Sequence, residues 1–188
     1  MQSNTGLLRW LKMPFLYNLF QGVVGGNALR RRLIQNHARA RPGDKVIGIG
    51  CGPAQALQSL PDVEYLGLDI DPDYIAFARR TYGGKGTFVV GDTRSLRGDS
   101  RFTDADVLIA VSVLHHLDDE EPTDCIQFAH NALKTGGRFI TRDACWIANQ
   151  GAFSRCIISK DRGRNIRAAK VLRMSTRGWI PRQCASHT

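Results

Sequence analysis

Acidic residues are scarce at both ends of this chain. No Asp or Glu stands in the first 41 residues, which hold seven Lys and Arg; the last 45 hold nine basic residues and only Asp161. Residues 42–143 reverse the balance, with sixteen acidic and ten basic side chains. The formal net charge of +9 therefore hides an acidic centre between two basic flanks. The plain reading of the flanks is solvated surface. The sharper reading is contact with nucleic acid or with an anionic membrane surface. Basic residues that are dispersed, without a recognised binding module, argue against nucleic acid. Long apolar runs are also lacking: none approaches the roughly 18 residues of a bilayer span, and no secretory leader is evident. The five cysteines (Cys51, Cys125, Cys145, Cys156 and Cys184) are odd in number and contain no C-x-x-C pair. That pattern excludes a disulfide frame and a cysteine-rich zinc site, and it suits reduced thiols in a cytoplasmic protein that binds no metal.

What is present is enough for one domain: 188 residues, 43% of them hydrophobic, allow a sizeable core. The most informative stretch is Lys45-Val46-Ile47-Gly48-Ile49-Gly50-Cys51-Gly52-Pro53. A short apolar run enters a glycine turn, followed by a helix-like segment from Ala54 to Leu60. This is how a buried strand presents a backbone loop to a nucleotide-like ligand. Gly50 and Gly52 allow a sharp turn and close approach to main-chain N–H groups, and Cys51 between them needs only to be small. Val63 to Asp69 reads as a second strand ending in a carboxylate, 19 residues after Gly50. In dinucleotide-binding folds an acid at about that distance accepts hydrogen bonds from ribose hydroxyls. Asp71-Pro72-Asp73 caps a helix through Arg80. Thr87 to Thr93 is a third strand, ending in Gly91 and Asp92. Three strands thus end in glycine or carboxylate at the edge where open parallel sheets place ligands.

With two later segments the pattern resembles the class I S-adenosylmethionine-dependent methyltransferases. Asp106 to Leu117 is similar to that family's fourth strand with its Leu-His-His-Leu ending. Leu133-Lys134-Thr135-Gly136-Gly137 is similar to its Leu-Lys-Pro-Gly-Gly turn into the fifth strand, with Thr135 in place of proline. The resemblance covers roughly residues 42–143. It implies a doubly wound, mostly parallel Rossmann-like α/β sheet with S-adenosylmethionine as cofactor. It also implies cofactor contacts from Gly50, Cys51, Gly52, Asp69, Ile70, Gly91, Asp92, Thr93 and Val111, with Asp92 near the adenine amino group. A nicotinamide or flavin protein is the rival. It usually has a third glycine where this chain has Gln55, and lacks the His-His-Leu and Gly-Gly elements. One position departs from the family: Gly48 stands where an acid usually orders the loop or meets the methionine amino group. A main-chain carbonyl or a water is the alternative partner there.

Three segments follow. Residues 1–41 read as a helical lid or extension: Leu7 to Val24 has apolar residues at helical spacing, interrupted near Met13-Pro14, with Tyr17 and Gln21 one turn apart. It packs over the sheet or, alternatively, lies in a membrane interface. Gly25-Gly26-Asn27 ends it, and Ala28 to Arg39 reads as a further helix. Residues 42–143 form the cofactor-binding core. Residues 144–188 form a basic tail, with a helix at Ala152–Ile158, a turn at Asp161–Arg164 and irregular chain from Met174. The sheet-edge hairpin that completes such a core reads as incomplete, as in an altered or truncated form of a longer protein.

Methyl transfer from a sulfonium needs alignment above all and no obligatory acid–base pair. An oxygen or nitrogen acceptor still needs its proton removed. His115, His116 and Asp143 are the candidates, against structural roles in bracing the loops, and Trp146 is a candidate wall of the acceptor pocket. The leading reading is a methyltransferase for a small molecule. The alternatives are a defective or non-catalytic cofactor-binding domain and a nucleic-acid methyltransferase.

Overall fold

The computed structural model describes residues 26–118, 121–143, 151, 170–175 and 178–183. Five strands form one sheet: β1 (Lys45–Ile49), β2 (Glu64–Asp69), β3 (Gly86–Val90), β4 (Ala105–Val111) and β5 (Leu133–Arg142). Their order is β3-β2-β1-β4-β5, and every pairing is parallel. Strands buried on both faces read as near-continuous apolar runs, which is why β1, β2 and β4 stand out in the sequence; β3 and β5, at the sheet edges, are only partly buried.

Alternate residues of each strand serve opposite layers. Val46, Val107 and Ile109 pack with Ile34 and Ala38 of the turn that follows α1 (Gly26–Leu33), and with Ile75 and Ala78 of α2 (Pro72–Tyr82). Ile47, Ile49, Leu108 and Ala110 pack on the other face with Cys125, Phe128, Ala129 and Ala132 of α3 (Glu121–Ala132). The sheet is thus doubly wound. After β3 the chain crosses over to place β4 beside β1. The strand order reverses between β1 and β4, and such a switch point opens a crevice at the carboxyl ends of the strands.

Local chemistry sets the helix ends. Asp71 accepts hydrogen bonds from the backbone N–H of Asp73 (2.9 Å) and Tyr74 (3.4 Å), and Pro72 opens α2, as the sequence indicates. The helix expected over Ala28–Arg39 instead starts at Gly26 and widens into a π-turn at Ile34–Ala38, stopped by Arg39 in the left-handed region (φ 49°). The Arg138 side chain donates to the Ala38 and Arg39 carbonyls at 3.1 and 3.0 Å, taking up acceptors that the helix end leaves open. The segment Ala54–Leu60 is only a 3₁₀ turn, Gln55–Ser59. Ala54 sits at φ 56°, and a left-handed residue cannot propagate an α-helix.

In the tail, strands β6 (Lys170–Ser175) and β7 (Gly178–Gln183) pair antiparallel in a two-stranded sheet of their own, where irregular chain was expected. Pro181 within β7 removes a ladder donor and disguises the strand in sequence. The segments at Leu7–Val24, with Tyr17 and Gln21, at Trp146, at Ala152–Ile158 and at Asp161–Arg164 lie outside the described residues. Among the described residues no helix is long and apolar enough to cross a membrane.

Leu108 is fully buried in the interior strand β4. Leu108→Ala is expected to destabilise the fold by about 2–5 kcal/mol, whereas Arg80→Ala, on an exposed helix position, changes stability by no more than about 0.5 kcal/mol. Chemical denaturation of the two variants checks the contrast.

Candidate functional site

The loop after β1 turns through two left-handed glycines, Gly50 (φ 56°) and Gly52 (φ 53°). A Cβ on Gly50 would lie 2.6 Å from a Val113 methyl, so only glycine fits; the side-chain direction of Gly52 is open. The loop is tied to its neighbour strand in two places. The Cys51 N–H donates to the Leu68 carbonyl at 2.9 Å, and the Gly52 N–H donates to Asp69 Oδ2 at 2.8 Å. The other carboxylate oxygen, Oδ1, accepts from the Asp71 N–H at 2.9 Å. Burial raises the Asp69 pKa above the ordinary carboxylate value, while the hydrogen bonds from Asp71 and Gly52 pull it back. A carboxylate has about four lone-pair directions, so the backbone donors leave acceptor capacity for a ligand.

Beside this clip the surface turns apolar. Ile70 is 67% exposed and Val90 44%, the two large hydrophobic side chains exposed among the described residues. Ile70 follows β2 and Val90 ends β3, the two strand ends being held together by the Gly91 N–H donating to the Asp69 carbonyl at 2.9 Å. Asp92 Oδ1 accepts from the Arg94 (3.0 Å) and Ser95 (2.7 Å) N–H groups. These bonds, led by that from Ser95, hold its pKa below the usual carboxylate value. Asp92 is thus fixed as a turn cap with one oxygen left over, and Thr93 beside it is half-buried.

On the other side of the loop a cleft opens between β1 and β4. Its wall includes Gly48, Gly50, Cys51, Gly52 and Val111, which the sequence pointed to or questioned, and Arg30, Gln55 and Tyr65, which it did not. Arg30 donates to Gln55 Oε1 across the cleft wall. Cys51 is not a reactive thiol: burial, and then the charge of Asp69, push its pKa well above the ordinary value. Its sulfur fills the space over Gly67, where a Cβ would come within 2.8 Å of it. Cys125 is pushed up to about 12, chiefly by burial.

The three proposed catalytic residues lie together but differ in exposure. His115 is buried, and its Nδ1 lies 2.9 Å from Asp143 Oδ1, which also faces the His115 backbone N–H at 3.3 Å. His116 is exposed and stacks obliquely on His115, ring centroids 4.1 Å apart. Asp143 Oδ2 is buried with no hydrogen-bond partner among the described residues. The parallel pairing of β4 with β5 brings His115 and Asp143 together. Sequence reading placed each at a strand end without joining them. Among the described residues no group of three or more His, Cys, Asp or Glu is placed to hold a metal ion.

Doubly wound topology, with the glycine loop beside the switch point clipped to an acid at the end of β2, defines an α/β protein built around a nucleoside-bearing cofactor. Comparison with known proteins narrows the class. A family model described as a methyltransferase domain matches residues 47–139. A TehB-like S-adenosylmethionine-dependent methyltransferase from Corynebacterium glutamicum is 26% identical, with a TM-score of 0.54 over 70% of this chain and 76% of that one. Two further structures share the fold. A mitomycin 7-O-methyltransferase matches at TM-score 0.61 and 20% identity, over 88% of this chain and 52% of its own. Geranyl diphosphate C-methyltransferase from Streptomyces coelicolor A3(2), solved with S-adenosyl-L-homocysteine, matches at 0.55 and 16%, over 70% of this chain and 50% of its own. The chain thus spans about half the length of these two. No curated protein matches it. Residues 47–139 belong to the class I S-adenosylmethionine-dependent methyltransferases.

The raised pKa of Asp69 has a definite sign in stability. A carboxyl whose folded pKa exceeds its unfolded value favours the fold most when protonated. Its contribution is largest below about pH 3.9, the unfolded value, and falls as pH rises through the higher folded value. Asp69→Asn removes that term. The stability of wild type relative to Asp69→Asn is therefore expected to decline over this interval and then level off, as read by paired melting curves.

Proposed function

We propose that this chain transfers a methyl group from S-adenosylmethionine to a small-molecule acceptor by in-line displacement. The observation that carries the reading is the clip of the Gly52 N–H on Asp69 Oδ2, between the loop after β1 and the end of β2, flanked by the exposed Ile70 and Val90. These residues suit the cofactor. The unused lone pairs of Asp69 accept from ribose hydroxyls, Ile70 and Val90 cover an adenine face, and Asp92 with Thr93 borders its edge. The two glycines leave room for the ligand against the backbone, and Val111 closes the cleft from β4.

When bound, S-adenosylmethionine supplies a methyl carbon activated by a sulfonium. The residues of the chain hold the partners in line, an effect that accounts for up to about 7–11 kcal/mol of barrier lowering in well-oriented reactions. The acidic core suits a cationic cofactor. For an acceptor that must lose a proton, His115 is the base. Asp143 accepts from Nδ1–H and so sets the tautomer in which Nε2 is basic. His116, exposed beside it, lines the acceptor side of the loop. A second reading, cofactor binding without turnover, is favoured by one observation: the acid usual in the family is Gly48 here.

Titration calorimetry separates the two readings. Wild type is expected to bind S-adenosylmethionine. Asp69→Ala loses charge-assisted bonds of about 1.5–3 kcal/mol each, so its affinity is expected to fall by at least about tenfold. Turnover on a panel of small protic acceptors supports the enzyme, and binding without turnover supports the second reading. Failure of wild type to bind contradicts both. For an acceptor found in this way, His115→Gln is expected to lower kcat by about 10²–10⁴-fold while cofactor affinity stays within about threefold.

A further inference from the structure

Gly48 lies on the same face of β1 as Val46, where the strand meets Tyr65 of β2. A Cβ on Gly48 would lie 2.0 Å from the Tyr65 hydroxyl oxygen and 2.9 Å from Cζ. The phenol thus occupies the space in which a side chain at position 48 would begin. Two more glycines shape the slot. Added Cβ atoms on Gly67 and Gly86 would come within 3.1 Å of Tyr65 carbons, at Cε1 and Cβ. Three adjacent strands therefore each give up a side chain around one ring, which also packs on Phe88 with centroids 6.0 Å apart. Tyr65 is only 3% exposed, yet it forms part of the cleft wall. Burial keeps the phenol neutral, so it can donate a hydrogen bond. Arg30 lines the same cleft, and among the described residues forming its wall there is no Asp or Glu.

We propose that Tyr65 takes the place of the side chain that Gly48 lacks, and that with Arg30 it binds the cofactor's amino-acid end by its α-carboxylate. The inference rests on the cofactor reading above and extends it to one end of the ligand. An acid at position 48 would favour the ammonium of that end. A neutral donor beside a guanidinium favours the carboxylate, for which planar Arg is well suited. The exchange is mutually exclusive, because the Tyr65 hydroxyl and a side chain at position 48 compete for the same volume.

Calorimetry with two nucleosides tests this. S-adenosylhomocysteine carries the amino-acid end and methylthioadenosine does not. Tyr65→Phe keeps the ring in its slot and removes one neutral hydrogen bond. Its affinity for S-adenosylhomocysteine is expected to fall about threefold to tenfold, with methylthioadenosine unchanged. Arg30→Met, at a half-buried position of α1 whose side chain also holds Gln55, is expected to weaken S-adenosylhomocysteine about tenfold to a hundredfold and again leave methylthioadenosine alone. A decarboxylated analogue of S-adenosylhomocysteine is expected to bind wild type more weakly than the parent and to bind Arg30→Met about as well as the parent does. Equal loss for both nucleosides, or no loss in either variant, overturns the proposal while leaving the cofactor reading in place. A wild type that binds neither nucleoside overturns the cofactor reading and the proposal with it.

Discussion

The hydrogen bond from the Gly52 N–H to Asp69 Oδ2, 2.8 Å long, links the loop after β1 to the end of β2, and the shape of the candidate site follows from it. A loop of left-handed glycines has little conformational preference of its own. Here its path is set by the Cys51–Leu68 backbone bond and by the Asp69 carboxylate, which simultaneously holds the Asp71 N–H. The same carboxyl group therefore fixes the loop, starts the cap of α2 and keeps acceptor capacity for a ligand. Burial works against its charge, and the backbone donors offset that penalty. The switch point between β1 and β4 then supplies the crevice that this edge lines.

Much of this was legible in the sequence, for physical reasons. β1, β2 and β4 are buried over nearly their whole length, so each is a short apolar run, and β1, β2 and β3 end near a glycine or an acid. The 19-residue interval from Gly50 to Asp69 reflects one strand-to-strand crossing. Asp71-Pro72-Asp73 announced α2 because capping is a local interaction. Non-local features were not readable. Ala54 adopts a left-handed conformation that its residue type does not favour, which cut the expected helix to a single 3₁₀ turn. The carbonyls left open where the π-turn stops at Arg39 are taken up by Arg138, 100 residues from Ala38. The pairing of His115 with Asp143 depends on the register of β4 against β5, and the Tyr65 slot depends on three strands at once.

The most useful departure from the expected pattern was the glycine at position 48. In sequence it is a missing acid. In the structure the position is filled, because a phenol from the next strand stands in the space. The change alters the charge of that end of the cleft, where Arg30 is the charged side chain among the described residues of the wall. Family resemblance thus supports the proposed ribose side of the site, and this chain's own packing the proposed amino-acid side.

The buried thiols and the histidine pair show the same division between packing and chemistry. Cys51 sits inside the glycine loop, yet burial keeps its thiol protonated, and its role is to fill the space above Gly67. His115 is the reverse case, a buried polar group held by a partner whose second oxygen has no partner among the described residues, an arrangement that packing alone does not require. The central claim concerns Asp69, and a crystal structure with S-adenosylhomocysteine tests it most directly. The account predicts ribose hydroxyls donating to Asp69 while the Gly52–Asp69 bond is kept and Ile70 lies against the adenine. A nucleoside bound elsewhere, or an Asp69 carboxylate turned away from it, would contradict the account.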